Sequence, residues 1–222
     1  MKKILIVSLM ASFLAGCATD EFGNSRSMTN TEKGAIIGVL GGAAAGAAID
    51  HNKRGRGALI GAIGGGLAGG AVGAYMDSQA KDLQKQLAPE VARGAISIDK
   101  RADNSIKVVM TAATAFDSNS AVVKTGFHPT LNKIADVVNK YGKTTITIEG
   151  HTDSQGSDQV NQTLSERRAV AVDEYLQANK VAPQRLTALG RGEKMPVADN
   201  GSEAGRARNR RVELLLEPVV GK

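Results

Sequence analysis

The residues best suited to chemistry follow a run of alternating β-branched residues at positions 144–149. Asp153 lies just beyond this run, and Arg168 lies in the helix-prone segment that comes next. A carboxylate can hold an ammonium group, and the planar arginine fork can bond a carboxylate with two parallel hydrogen bonds. A simpler interpretation stays open, in which Asp153 is a turn residue and Arg168 belongs to a solvated helix face paired with Asp173 or Glu174.

A catalytic interpretation would rest on His151, Asp153 and Ser154, which lie close together in the sequence. No third metal ligand, second histidine in range or nucleophile turn accompanies them in the sequence, and the whole chain has three histidines. We therefore expect a protein that is not an enzyme, with no catalytic residue, no metal and no cofactor.

The elements that position these side chains are predicted from residue periodicity. Strands are predicted at residues 95–100, 105–110, 144–149, 185–189 and 211–216. Helices are predicted at residues 77–87, ended by Pro89, at 129–141 and at 164–178. The β-α-β-α-β order predicts an α+β fold, a two-layer α/β sandwich with helices on one face of a mixed sheet.

The N-terminus has the pattern of a bacterial export signal. Two lysines precede an apolar run that ends at Leu14, and small residues lead to Cys17, the only cysteine of the chain. The sequence Leu14-Ala15-Gly16-Cys17 resembles a lipobox. We therefore predict a signal peptide at 1–16, a lipid on Cys17 and a flexible tether at 17–33.

Glycine recurs every fourth residue in two apolar runs, which begin at Gly34 and Gly57 and are joined by a basic connector. Residues four apart share a helix face, so each run predicts a glycine stripe that allows close backbone packing. The pattern predicts a glycine-zipper helical hairpin at 34–76. It supports either insertion into a membrane or self-association, and a flexible linker would need no such period.

The composition narrows the choice of partner. The formal net charge is +6, and two of the lysines leave with the signal peptide, so the mature chain is mildly basic and suits an anionic polymer or phospholipid headgroups. Aromatic residues make up 3% of the chain and the basic residues are dispersed, which argues against nucleic acid.

Several motifs in the C-terminal half carry a family resemblance. They are Gly150-His151-Thr152-Asp153, Asn161, the run 164–169, the run 190–193 and the run 205–213. Over residues 105–218 the chain resembles the OmpA-like peptidoglycan-binding domain family, preceded by a connecting helix and hairpin strand at 77–104. With the lipobox and the glycine repeat, it resembles outer-membrane lipoproteins of the YiaD type and, more distantly, peptidoglycan-associated lipoproteins.

The resemblance implies a non-catalytic outer-membrane lipoprotein with its C-terminal domain in the periplasm. Asp153 and Arg168 match the family's ligand pair for the zwitterion of peptidoglycan diaminopimelate, which has an ammonium and a carboxylate on one carbon. Asn161 and Arg210 match secondary contacts, although residues 209–211 also suit a structural clamp. The alternative function is envelope assembly or oligomerisation through the glycine zipper, with wall binding as a tether.

Overall fold

The computed structural model describes residues 18–19, 25–26, 67 and 71–220. The predicted signal segment, the lipidation site Cys17 and most of the glycine repeat lie outside the described residues. Strands β1 (Ala18–Thr19) and β2 (Ser25–Arg26) form a short antiparallel pair within the predicted tether. Among the described helices, none has the length and apolar character needed to cross a membrane.

A five-stranded mixed sheet forms one layer of the C-terminal domain. Its strands are β3 (Ile96–Lys100), β4 (Ile106–Thr111), β5 (Thr144–His151), β6 (Leu186–Gly190) and β7 (Arg211–Pro218). Their order is β3-β4-β7-β5-β6, in which β5 and β6 run parallel and the other neighbours antiparallel. The predicted mixed sheet and its hairpin of β3 and β4 are confirmed.

Helices and short turns connect these strands. They are α1 (Val72–Gln86), α2 (Ala88–Ala92), α3 (Ala112–Ala115), α4 (His128–Lys140), α5 (Asp158–Ala178) and α6 (Glu203–Asn209), with 3-10 turns at Thr125–Phe127 and Pro183–Arg185. Helix α5 begins six residues before the predicted start, because Ser157 caps it by accepting a hydrogen bond from the Val160 backbone amide at 3.4 Å. Helices α3 and α6 were not predicted.

The core lies between the apolar face of the sheet and the helices. Residues of alternating β5 and β7 positions, such as Ile148 and Leu214, join Leu131 of α4 and Val172 of α5 in one buried cluster. Alternation in the strands and helical spacing in α4 and α5 present these residues to a common interior. The predicted two-layer α/β sandwich is confirmed.

Helix α1 is part of this core. It runs without interruption through positions 76 and 77, where the sequence suggested that the glycine repeat gives way to a connecting helix. Met76, Leu83 and Leu87 are fully buried, and the Tyr75 hydroxyl accepts a hydrogen bond from the Lys143 amide at 2.9 Å. Pro89 does not end the helical region, because it lies in the first turn of α2, where a missing amide hydrogen costs nothing.

Candidate functional site

The close approach of α5 to the end of β5 brings the predicted site residues together. A Cβ atom on Gly150 would lie 2.0 Å from the backbone oxygen of Ser165, so only glycine permits this packing. Strand β5 ends at His151, and the chain then turns through Gly156, whose φ of +101° suits glycine, before α5 begins. The strand end, this turn and the first half of α5 thus converge.

A cleft of about 500 Å³ opens beside this turn. It is lined by Ala112, Ala113, Phe116, Asp117, Ser118, Asn119, Lys124, Thr152, Asp153, Gln155, Asn161, Leu164, Arg168, Glu203 and Arg210. All four residues predicted as ligand contacts, Asp153, Asn161, Arg168 and Arg210, are therefore brought to one cleft. The walls of the cleft come from helix α5, from the segment around α3, and from α6 together with Arg210.

Asp153 combines a turn contact with an ion pair. The residue is buried, at 7% exposure. Oδ1 accepts a hydrogen bond from the Gln155 amide at 3.1 Å, and Oδ2 accepts one from Nη1 of Arg210 at 2.6 Å. Asp153 is thus a turn residue, as the simpler interpretation predicted, and it also lines the cleft.

Arg168 is buried at 4% exposure, so its interpretation as a solvated helix-face residue paired with Asp173 or Glu174 is wrong. Its Nε donates to the Ser120 backbone oxygen at 2.9 Å, its Nη2 donates to that of Asp117 at 3.4 Å, and its guanidinium lies 5.2 Å from the Phe116 ring centroid. Within the described chain, no carboxylate forms a salt bridge with it and its Nη1 has no hydrogen-bond partner.

The electrostatics of Arg168 differ from those of its neighbour Arg210. Burial lowers the pKa of Arg168, repulsion from the Arg210 guanidinium lowers it further, and attraction to the Asp153 carboxylate offsets part of this change. Hydrogen bonds to Asp153 and Glu203 raise the pKa of Arg210. The cleft therefore contains one arginine that is paired with two carboxylates and one buried arginine that bonds only carbonyl oxygens, with an aromatic face beside it and the Asp153 carboxylate acting on it without a salt bridge.

Residues 209–211 divide between a clamp on the last strand and the lining of the cleft. The Asn209 side chain accepts hydrogen bonds from the amides of Val197 and Ala198 at 2.8 and 3.0 Å, and it is fully buried. Arg211 pairs with Glu213 through Nε at 2.6 Å. Arg210, between the two, is the residue that reaches the cleft.

Asn161 has its amide donor committed within the protein. Nδ2 donates to the Asp153 backbone oxygen at 3.2 Å and to Oε2 of Glu193 at 2.5 Å. Asn161 thus fixes the turn that carries Asp153, besides lining the cleft.

Sequence reasoning missed most of the wall formed by residues 112–124. Phe116 forms an isolated bridge with Val123, and Lys124 pairs with Asp117 at 3.1 Å. The backbone carbonyls of this segment position Arg168, and backbone acceptors leave no signature in residue types. Glu203 was also missed, since it lies in the unpredicted helix α6.

His151 is not part of the cleft. It is 1% exposed and lies near Glu149, whereas Asp153 lines the cleft. The three residues on which a catalytic interpretation would rest therefore do not face a common site.

Comparisons with known proteins match both halves of the chain. The OmpA family model matches residues 115–210, and the YMGG-like Gly-zipper model matches residues 1–77. The chain is 38% identical over 225 residues to Probable lipoprotein YiaD of Escherichia coli (strain K12), covering 99% of this chain and 100% of that protein. These matches confirm the resemblance predicted from the motifs at 150–213 and from the glycine repeat.

Two further matches cover the C-terminal half. The chain is 35% identical over 113 residues to Peptidoglycan-binding protein ArfA of Mycobacterium bovis, covering 51% of this chain and 35% of that protein. The solved structure of the cell wall anchor of the T6SS from Pseudomonas aeruginosa is similar with a TM-score of 0.57 and 34% identity, covering 61% of this chain and 96% of that one.

Proposed function

Since this chain belongs to the OmpA family, we propose that it is an outer-membrane lipoprotein whose C-terminal domain binds peptidoglycan without catalysis. A relative matched over its full length is named a lipoprotein, and a relative of the C-terminal half is named a peptidoglycan-binding protein. The lipid on Cys17 holds one end of the molecule to the membrane, and the periplasmic C-terminal domain holds the wall.

The observation that supports this proposal most directly is that Arg168 is buried without a salt-bridge partner in the described chain. A buried cation without a carboxylate partner in the described chain is costly, because burial favours the uncharged form and arginine does not lose its proton. A ligand carboxylate in the cleft would supply the missing charge. The uncommitted Nη1 is the donor that would meet it, with the fork held in place by Ser120 and Asp117.

Asp153 supplies the opposite charge in the same cleft. Its carboxylate can accept from a ligand ammonium, because each of its oxygens has accepted a single hydrogen bond in the described structure. Diaminopimelate carries an ammonium and a carboxylate on one carbon, so it can engage Asp153 and Arg168 together. Arg210 would add a second cation near the ligand carboxylate, and Asn161 would hold the turn that carries Asp153 through its hydrogen bond to the Asp153 backbone oxygen.

Co-sedimentation of the full chain, in detergent, with purified diaminopimelate-type sacculi tests this proposal. We expect the wild-type chain to bind and Asp153→Asn to weaken binding by about tenfold or more, because the ligand ammonium loses its charged partner. Arg167→Gln is the matched control for the helix, since Arg167 is the exposed neighbour of Arg168. Full binding by Asp153→Asn, or no binding by the wild type, would contradict the proposed site.

A second candidate function is assembly through the glycine repeat, which the match of residues 1–77 to a glycine-zipper family favours. We propose that residues 34–76 also mediate self-association. Deletion of residues 34–66 tests this without cutting α1, which is part of the core. A smaller particle by light scattering is expected. An unchanged oligomeric state would exclude this role, and sacculus binding by the same variant shows whether its domain is intact.

A further inference from the structure

Two carboxylates and an imidazole converge on the face of the sheet opposite α5. Gly150 faces α5, so its strand neighbours Glu149 and His151 project to the other face. Glu213 of β7 lies directly across from Glu149 in the antiparallel register. One potential ligand atom from each of Glu149, His151 and Glu213 lies within 4.8 Å of the others.

The imidazole of His151 is the unusual member of this group. It is 1% exposed, and neither ring nitrogen has a hydrogen-bond partner among the residues that the structure describes. Its Nε2 points toward Oε2 of Glu149 at 3.9 Å, which is too long for a hydrogen bond. Buried polar atoms are nearly always satisfied, so this nitrogen calls for a partner between the two side chains.

We propose that Glu149, His151 and Glu213 bind a divalent transition-metal ion of the zinc class. Imidazole nitrogen and carboxylate oxygen are donors that zinc accepts, at about 2.0–2.2 Å from the metal. In a tetrahedral site two such donors lie about 3.4 Å apart. The 3.9 Å between His151 Nε2 and Glu149 Oε2, and the widest separation of 4.8 Å in the cluster, are longer, so metal binding requires side-chain rotations that draw the three donors together.

Three cations compete with the metal for these carboxylates. Lys107 Nζ contacts Oε2 of Glu213 at 2.8 Å, Arg191 pairs with Oε1 of Glu149, and Arg211 pairs with Oε1 of Glu213. The side chain of Lys107 is 20% exposed and can swing into solvent, whereas Arg211 is buried. A bound metal therefore displaces Lys107, and removing this lysine should strengthen metal binding.

Zinc titration of the full chain in detergent, after chelator treatment and against a zinc indicator, tests the site. We expect one saturable site per chain, weakened at least about tenfold by Glu149→Gln and by His151→Gln. Lys107→Ala should instead bind zinc several-fold more tightly. The opposite directions separate a metal site from general destabilisation of the sheet, which would weaken binding in all three variants.

A second described histidine provides the control. His128→Gln should bind zinc as the wild type does, because His128 does not belong to this cluster. Absence of wild-type binding, or wild-type affinity in Glu149→Gln, would overturn the proposal and leave a bridging water as the partner of His151. Should His151→Gln fail to fold by circular dichroism, Glu149→Gln and Lys107→Ala decide the matter. Metal binding is measured directly, so its outcome is independent of sacculus binding.

Discussion

Two arginines of this protein are almost equally buried, at 4% for Arg168 and 5% for Arg185, yet their surroundings differ. Arg185 uses every nitrogen of its guanidinium. Nε donates to the Thr144 backbone oxygen at 2.7 Å, Nη1 to that of Val138 at 2.8 Å, and Nη2 to that of Tyr141 at 3.0 Å. Arg168 donates to two carbonyls through Nε and Nη2, has no partner for Nη1 within the described chain, and lines a cleft.

The comparison shows that two equally buried arginines can differ in how many of their donors are used within the protein, which separates a structural arginine from one proposed to bind a ligand. Arg185 ties the end of α4 to the start of β5, and each of its three nitrogens donates at least one hydrogen bond within the described chain. Arg168 is held in position by its two carbonyls, and its charge is directed toward a space that a ligand can enter. The number of uncommitted donors, combined with an adjacent cleft, is therefore the better criterion.

The largest effect is expected at the structural arginine. Arg185→Ala removes a donor from three backbone carbonyls, of which that of Tyr141 still accepts from the Thr144 hydroxyl. The two others lose the bond at about 1–3 kcal/mol each, so the free energy of unfolding should fall by at least about 2 kcal/mol. Urea denaturation monitored by circular dichroism measures this change. The exposed Arg208→Ala serves as its control and should change stability by less than about 0.5 kcal/mol. A loss below about 1 kcal/mol in Arg185→Ala would remove the structural assignment.

At Arg168, the proposed ligand contact, the effect should fall on the affinity for sacculi. Arg168→Lys keeps a cation but loses the planar fork, so we expect sacculus binding to weaken about 30-fold, while the free energy of unfolding changes by about 1 kcal/mol or less. Co-sedimentation and urea denaturation of the same preparation separate the two quantities. If Arg168→Lys lost as much free energy of unfolding as binding free energy, Arg168 would be a structural arginine like Arg185.

A smaller effect is expected from the aromatic ring beneath the Arg168 guanidinium. Phe116→Leu removes the cation–π contact but keeps most of the buried volume, so binding should weaken about threefold. Fluorescence-based sacculus binding can resolve a change of this size. Unchanged affinity would mean that the carbonyls of Ser120 and Asp117 alone position the guanidinium.

The smallest effect concerns the free energy of unfolding at acid pH, at the end of α4 to which Arg185 also bonds. Hydrogen bonds from Lys140 and the Tyr141 hydroxyl hold the pKa of Asp82 below its usual value of 3.8 and tie α1 to the end of α4. This contribution to stability is fully present above about pH 4 and is lost as the pH falls through the lowered pKa. Asp82→Asn should therefore reduce the loss of stability below pH 4. An identical pH profile in the variant would show that this pair does not stabilise α1.

The sequence predicted the parts of the fold that depend on periodicity. Strands and helices with a clear apolar face were located to within a few residues, except that α5 starts earlier because residues 158–163 contain few apolar side chains. The same limit applies to α3 and α6, which are too short to show a period.

The site was predictable only in part. The family motifs singled out Asp153 and Arg168, and the structure places both in one cleft. The environment of Arg168 depends on backbone carbonyls at 117 and 120, far away in sequence, and no residue pattern specifies them. Arg185 was likewise assigned to a strand edge, because a buried arginine that bonds only backbone and hydroxyl oxygens looks like any other arginine in a sequence.

The most direct measurement is the effect of Arg168→Lys on binding to two kinds of wall. Diaminopimelate-type sacculi present a carboxylate beside the ammonium, whereas lysine-type sacculi present the ammonium without that carboxylate. We predict that the variant loses about 30-fold in affinity for the first wall and little for the second, because only the first offers Arg168 its partner. An equal loss on both walls, or none on either, would contradict the assignment of Arg168 as the residue that reads the carboxylate.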